Sequence, residues 1–316
     1  MIRTNTVVPL AMALCVASAL TVHAAPLARW TFDEADGDTA ADSVGTVDGM
    51  LLNGAVFAPG DGVVGGCVDL DIETSDVVSM GDHFAFVGTE GFSSQIWVRT
   101  TMTAGALILG RHVSTVVAGY WMGINDTSDG PPNEVVGSYH FYQSDNPPLN
   151  SGDVGITDGE WHQLVAVRDA AASKLRIYVD GVRVPGASST DDLRSLGATT
   201  APFAIGGLVI GSTLTGSFTG CIDEVRLWDH ALTDDEVNYH FEHPATEGLL
   251  CGDTNGDGKI TAADALFALK SAIGSETCAK CVCDVDGGGS VGAADALAIL
   301  KVAVGISIKF GCPACD

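Results

Sequence analysis

Basic charge is what this sequence has least of. It carries 15 Lys and Arg against 40 Asp and Glu, a formal net charge of −25. A nucleic-acid partner is excluded on that ground, because phosphate binding needs a basic face. Long apolar runs are also scarce. The one at Val7–Val22 follows Arg3 and precedes Val22-His23-Ala24, a small-residue cleavage signature. That is the layout of an export leader over residues 1–24, with Ala25-Pro26 as the mature start. Leu14 stands before Cys15, where lipidation wants a small residue, so no lipid anchor is expected. No later segment is apolar and long enough to span a bilayer. The expected location is extracellular.

Hydrolase and nucleotide-binding signatures are missing or misplaced. His240 and His243 lack the Glu that follows the first His in a zinc-protease helix. Gly288-Gly289-Ser290-Val291-Gly292 matches a nucleophile elbow and overlaps a dinucleotide pattern. Both require a buried strand of a parallel sheet just before them, and neither has one.

What is present is a repeat. Asp253, Asn255, Asp257 and Asp264 occupy positions 1, 3, 5 and 12 of one loop, with Gly258 at position 6 and Ile260 at 8. Asp284, Asp286 and Asp295 occupy 1, 3 and 12 of a second, with Gly289 at 6 and Val291 at 8. Calcium takes about six to eight oxygens, and a loop with Gly at its sharp turn wraps around it. Ca2+ is therefore the expected cofactor. Gly288 at position 5 of the second loop offers no side-chain oxygen, so that site is expected to bind more weakly or to recruit water. After each loop, Leu266, Leu269, Ile273 and Leu297, Leu300, Val304 recur at helical spacing. These stripes are expected to bury against each other.

Of nine cysteines, Cys15 leaves with the leader, and eight remain in an exported chain. Disulfides are then the default. Cys251, Cys278, Cys281, Cys283, Cys312 and Cys315 crowd the tail, where a small unit needs staples. Cys278 with Cys281 and Cys312 with Cys315 have zinc-ribbon spacing, but export and the even count favour bridges. Six cysteines allow 15 pairings, and the sequence does not choose among them.

The region before the tail alternates in short runs: Gln95–Arg99, Leu164–Arg168, Leu175–Val179 and Cys221–Trp228, with a turn at Asp180-Gly181. Many short strands punctuated by turn residues argue an antiparallel sandwich. Thr233 and Glu236 form a capping box for one short helix. Asp69, Asp71 and Glu73 would share one face of a strand, as a carboxylate pair for glycoside cleavage requires. The run is read as a solvated face, and no catalytic residue is assigned.

Trp30–Glu34, Ala41–Ser43, Gly159–His162, Ile177–Gly181 and Gly220–Trp228 resemble the laminin-G-like, concanavalin A-like jelly-roll family. The resemblance implies a mainly β fold: an antiparallel jelly-roll sandwich over 26–244, followed by a small helical unit over 245–316. It implies a structural calcium at Asp33, Asp42 and Asp223. Cysteines at positions 67 and 221, where relatives carry small residues, suggest neighbouring strands joined by a bridge. A glycan surface would use Tyr120, Trp121, Tyr139, Phe141 and Tyr142, while Trp97, Trp161 and Trp228 belong to the core.

The tail, with repeats at 253–274 and 284–305, resembles a type I dockerin. By that resemblance Asp253, Asn255, Asp257, the Lys259 carbonyl and Asp264 hold one calcium. Asp284, Asp286, the Ser290 carbonyl and Asp295 hold another. A cohesin-like or cell-surface partner would touch Ala262, Ala263, Leu269 and Lys270, or their twins Ala293, Ala294, Leu300 and Lys301. The identity of the two sets would permit docking in either of two orientations. Together these features imply a secreted, non-catalytic binding protein with a glycan or surface ligand. The alternatives are a dockerin-borne polysaccharide hydrolase and a structural or adhesion protein.

Overall fold

A computed structural model describes residues 26–86, 90–113, 116–126, 135–143, 149–190, 201–210, 213–245, 251–255, 260–278, 280–306, 308 and 310–313. The expected leader lies outside the described residues.

The strands, in chain order, are β1 (Ala28–Trp30), β2 (Thr39–Ala40), β3 (Gly49–Leu52), β4 (Val56–Ala58), β5 (Cys67–Leu70), β6 (Val77–Ser79), β7 (Phe92–Arg99), β8 (Ala106–Val113), β9 (Val116–Asp126), β10 (Val135–Gln143), β11 (Leu149–Asp153), β12 (Trp161–Asp169), β13 (Lys174–Val179), β14 (Val182–Thr190), β15 (Ala204–Ile205), β16 (Gly207–Ile210), β17 (Thr213–Gly216) and β18 (Gly220–Trp228). The helices are α1 (Asp234–Glu242), α2 (Ala262–Ala272), α3 (Lys280–Cys283) and α4 (Ala293–Ala303).

Among the described residues the strands form two sheets. One runs β14-β13-β12-β7-β18-β5-β4, with β1 also on β18. The other runs β11-β10-β9-β8-β15-β6-β3-β2, with β16 and β17 at its flank. This is the antiparallel sandwich that the strand pattern predicts, with the jelly-roll architecture that the family resemblance implies. The order follows from alternation: Phe92, Ile96 and Val98 of β7 point into the space between the sheets. There they meet Met122 and Ile124 of β9, Leu164 of β12 and Ile222 of β18. Period-two patterning leaves the odd residues for the outer face.

That outer face is partly covered as well. Thr233 caps α1, accepting from Glu236 N at 3.2 Å while Glu236 Oε2 accepts from Thr233 N at 2.8 Å. The predicted capping box is present. It presents Val237 to Val165, Val167, Tyr178 and Trp228 in a second, smaller core. Trp97 stacks on Phe241, ring centroids 5.7 Å apart. Strand β7 is therefore buried on both faces.

The β13–β14 hairpin turns at Asp180-Gly181, as predicted. Both residues have positive φ, 50° and 74°, the requirement of the mirror-image turn that matches strand twist. Asp180 also accepts from His162 Nδ1 at 2.9 Å, and Asp158 lies 3.2 Å from Nε2. These bonds, Asp180 first, raise the His162 pKa above its ordinary value. A raised folded-state value means the pair's contribution is complete below the ordinary histidine range and is lost as pH rises through the raised value. An NMR titration of the His162 ring should give a midpoint above that of a free histidine, and Asp180→Asn should bring it down.

Candidate functional site

The two tail repeats share a local logic. In the first, Asp264 Oδ2 accepts from Thr261 N at 2.8 Å, closing the N-terminus of α2. Its Oδ1 accepts from Thr254 N at 2.9 Å and Asn255 N at 3.1 Å, tying the loop entry to the helix. In the second, Asp295 Oδ2 accepts from Gly292 N at 2.8 Å and Oδ1 from Asp286 N at 3.0 Å. One carboxylate at position 12 thus fixes both loop and helix in each copy. Thr261 adds a side-chain cap to α2, and Gly292 has no side chain to do so for α4.

In the second loop Asp284, Asp286 and Asp295 place one oxygen each within 4.8 Å of one another. Asp284 is fully buried. Its Oδ2 accepts from Gly289 N at 2.7 Å, and its Oδ1 has no hydrogen-bond partner. Three converging carboxylates, one with an orphaned buried oxygen, are a donor set suited to a hard cation. Gly289 has φ 84°, so the sharp turn at position 6 requires glycine. Ser290 follows on the exposed side of the loop. In the first loop Asp253 and Asp264 are buried and Asn255 is exposed. Asp257 and Lys259 lie outside the described residues.

The helical stripes do not do what their spacing suggests. The tail core is built from Ala265 and Ala268 of α2, Ala296 and Ile299 of α4, with Cys283 and Val285. Leu266, Leu269 and Ile273 are 55%, 42% and 75% exposed, and Leu297, Leu300 and Val304 are 53%, 40% and 66% exposed. The cause is the position-12 carboxylate. Asp264 must face the loop, and at about 100° per residue Ala265 and Ala268 fall on its side of the helix. Leu266, Leu269 and Ile273 then fall roughly 140–200° away. The small alanines let the helices approach closely, and each larger apolar ridge is left outside, beside Lys270 or Lys301.

Disulfides Cys251–Cys312 and Cys278–Cys283 staple the tail. The bridge from 251 to 312 ties its two ends together. The Cys281 side chain and Cys315 lie outside the described residues.

In the sandwich, several expectations are corrected. Asp71 and Glu73 do not continue the strand: β5 ends at Leu70, and Asp71 turns the chain by accepting from Glu73 N at 2.9 Å. The three acids share no strand face. Tyr120, Tyr139 and Phe141 are buried between the sheets rather than lining a surface. Trp121 is on the other face of β9, edge-on to His140 with ring centroids 5.3 Å apart. Gly110 and Gly123 stand opposite Trp121 and His140, and the buried His140 ring lies over Gly123. The Tyr142 side chain lies outside the described residues. Trp97 and Trp228 are core as expected, whereas Trp161 is half-buried under the Arg99 guanidinium at 5.1 Å.

Cys67 and Cys221 lie on neighbouring strands, as expected, but they are free thiols. Cys221 stands opposite Asp69, so Cys67 is its diagonal neighbour and not its direct partner.

Asp33, Asp42 and Asp223 are occupied by backbone donors. Asp42 accepts from Arg29 N, Val44 N, Gly45 N and Val47 N at 2.8–3.2 Å. Asp33 accepts from Gly66 N at 2.7 Å, and Asp223 from Val64 N at 3.1 Å. Burial, with Glu224 and Asp33 nearby, pushes Asp223 up to about 8.

A buried network that sequence reading missed lies beside them. Glu224 binds Arg29 through both oxygens, at 2.7 and 2.9 Å, and Arg226 at 2.8 Å. The two arginines reach the carbonyls of Ala245 and Pro244, where the chain leaves the sandwich. A β-bulge in β18 aims Glu224 there, with φ 48°. The alternation of charges in Glu224-Val225-Arg226 was the only signal.

The fold and the tail geometry agree with the comparisons to known proteins. The chain belongs to the concanavalin A-like lectin/glucanases superfamily, whose laminin-G-type model matches residues 73–238. Residues 251–302 match the type I dockerin domain. Dockerin domains bind cohesins and in general bind calcium. Among solved structures, domain 4 of AbnA, a GH43 extracellular arabinanase from Geobacillus stearothermophilus in complex with arabinotriose, is similar with TM-score 0.51 at 21% identity. The match covers 68% of this chain and 98% of that one. The binding domain of Paraclostridial Mosquitocidal Protein 1 aligns with TM-score 0.49 at 14% identity, over 69% of this chain and 52% of that one. At 21% identity the likeness to the arabinanase domain concerns the fold. No curated protein matches the chain. No helix among the described residues is long and apolar enough to cross a membrane.

Proposed function

We propose that this is a secreted, non-catalytic binding protein. Its jelly-roll, residues 26–244, recognises a glycan or another extracellular surface. Its tail, residues 245–316, docks it with calcium onto a cohesin-type partner. The observation that carries the docking reading is the pair of exposed apolar ridges, Leu266, Leu269, Ile273 and Leu297, Leu300, Val304. Contiguous exposed apolar side chains on a soluble unit mark an interaction surface.

Calcium fits the loops that hold those ridges in place. Asp253, Asn255, Asp257, the Lys259 carbonyl and Asp264 would hold one ion, and Asp284, Asp286, the Ser290 carbonyl and Asp295 the other. The ion would offset the repulsion among converging carboxylates and satisfy the orphaned Asp284 oxygen. Gly288 gives the second loop one side-chain ligand fewer, so the two affinities should differ.

The glycan reading rests on Trp121, half-buried on the outer face of the second sheet and edge-on to the buried His140 ring. In the similar arabinanase domain, the bound molecule is arabinotriose. The disulfides are consistent with an oxidising, extracellular setting.

The test uses the full chain on a surface, probed with a cohesin module and, separately, with a panel of oligosaccharides including arabinans. Cohesin capture in calcium and its loss in EGTA is the expected result. Equal capture with and without calcium would overturn the coupling of metal to docking. Sugar binding that Trp121→Ala abolishes would support the glycan face. Reducing-sugar release by the full chain would overturn the non-catalytic reading.

A further inference from the structure

Two thiols of the sandwich stand apart from the bridged cysteines of the tail. Cys67 on β5 and Cys221 on β18 share the outer face of the first sheet, 0% and 6% exposed, and neither is bridged. A line of side chains crosses the sheet there. Trp161, Arg99, Cys221 and Asp69 are successive register partners on β12, β7, β18 and β5. Arg99 Nη2 donates to Cys221 Sγ at 3.5 Å and pairs with Asp61 at 3.5 Å.

The two sulfurs are chemically unequal. The Arg99 guanidinium lies against Cys221 Sγ, and a cation beside a sulfur favours its thiolate. Cys67 is fully buried, which disfavours a thiolate there. The geometry is unequal to that of a static bridge too. Diagonal cross-strand residues have Cα atoms about 7–8 Å apart, at or beyond the roughly 4.4–6.8 Å a relaxed disulfide spans. Closing the bond takes a small movement of β5, a strand of four residues held on its other side only by the three-residue β4. Bonds that need such a movement are the exchangeable kind.

We propose that Cys67 and Cys221 form a thiol–disulfide exchange site for small disulfides, with Cys221 attacking and Cys67 resolving. The Cys221 thiolate attacks one sulfur of R–S–S–R. The S–S bond breaks, R–S− leaves with the electron pair, and it takes a proton from solvent. Cys67 then loses its proton to solvent and attacks Cys221 Sγ in the mixed disulfide, expelling the second R–S−. Two protein thiols are oxidised and one small disulfide is reduced to two thiols. The product links β5 to β18 and removes the sulfur acceptor that positions Arg99 between Trp161 and Asp61. This site is independent of the docking tail.

Oxidised glutathione is the probe, with the full chain, followed by alkylation and peptide mapping by mass spectrometry. A Cys67–Cys221 bridge after oxidised glutathione, two alkylated thiols after reduced glutathione, and intact Cys251–Cys312 and Cys278–Cys283 bridges in both is the expected pattern. Cys67→Ser should trap a glutathione adduct on Cys221. Cys221→Ser should leave Cys67 unmodified over the same time. Arg99→Gln should slow adduct formation roughly ten-fold. Circular dichroism matching that of the parent chain establishes that the variants fold. Two alkylated thiols after oxidised glutathione would overturn the proposal. So would an adduct on Cys67 in Cys221→Ser at the parent rate.

Discussion

Glu224→Ala is expected to cost the jelly-roll about 3–5 kcal/mol, the largest loss of any single substitution considered. Glu224 is 0% exposed, as is Arg226, and Arg29 is 4% exposed. Removing Glu224 takes a buried carboxylate away from two buried guanidiniums whose charge it offsets. Arg29→Ala and Arg226→Ala should cost less, because either leaves one arginine on the glutamate. The ordering tests the mechanism better than the size does. Glu224→Gln keeps the shape and some hydrogen bonds but not the charge, so it should fall between Glu224→Ala and the parent. Chemical denaturation followed by tryptophan fluorescence reads all four. Equal losses at the three positions would mean that packing, rather than charge pairing, sets the energy. The same arginines hold the Pro244 and Ala245 carbonyls. Proteolysis near residue 245 should therefore accelerate in Glu224→Ala at denaturant concentrations where the sandwich is still folded.

Leu269→Glu combined with Leu300→Glu is expected to weaken cohesin capture by about 2–4 kcal/mol, roughly 30- to 700-fold, the range of an interface hot spot. Each substitution alone should change the apparent affinity only about two-fold. The two helices repeat the same contact residues in the same order, Ala-Ala then Leu-Lys, and all of them are exposed. A partner that uses one ridge at a time loses half of its binding modes when one is spoiled and all of them when both are. Surface plasmon resonance in saturating calcium measures this. A full loss from either single variant would mean that both ridges are engaged at once. Neither leucine belongs to the tail core, so helicity should be unchanged in all three variants.

The legible parts of this protein are those where chemistry is local. The Asp180-Gly181 turn, the Thr233–Glu236 capping box and the carboxylates of the second tail loop each depend on residues within a dozen positions of one another. Backbone preference and hydrogen-bond reach suffice to read them. The alternating runs around Trp97, Val165, Ile177 and Val225 specify strands for the same reason. The count and character of the cysteines pointed to staples, though not to their pairing.

Pairing, facing and burial were decided by the tertiary structure. Leu266, Leu269 and Ile273 have core spacing, yet the inward turn of Asp264 assigns the core to alanines. Periodicity alone cannot say which stripe of an apolar helix faces in. Asp71 and Glu73 continue the period of Asp69, but a turn held by Asp71 ends the strand after Leu70. Tyr120, Tyr139 and Phe141 are aromatic enough to bind a sugar, and closure of the two sheets buries them. Cys67 and Cys221, 154 positions apart, become diagonal neighbours only through the register of β5 on β18. Sequence carried composition, repeats and local turns. Long-range register, which depends on every strand between, set which of those residues meet.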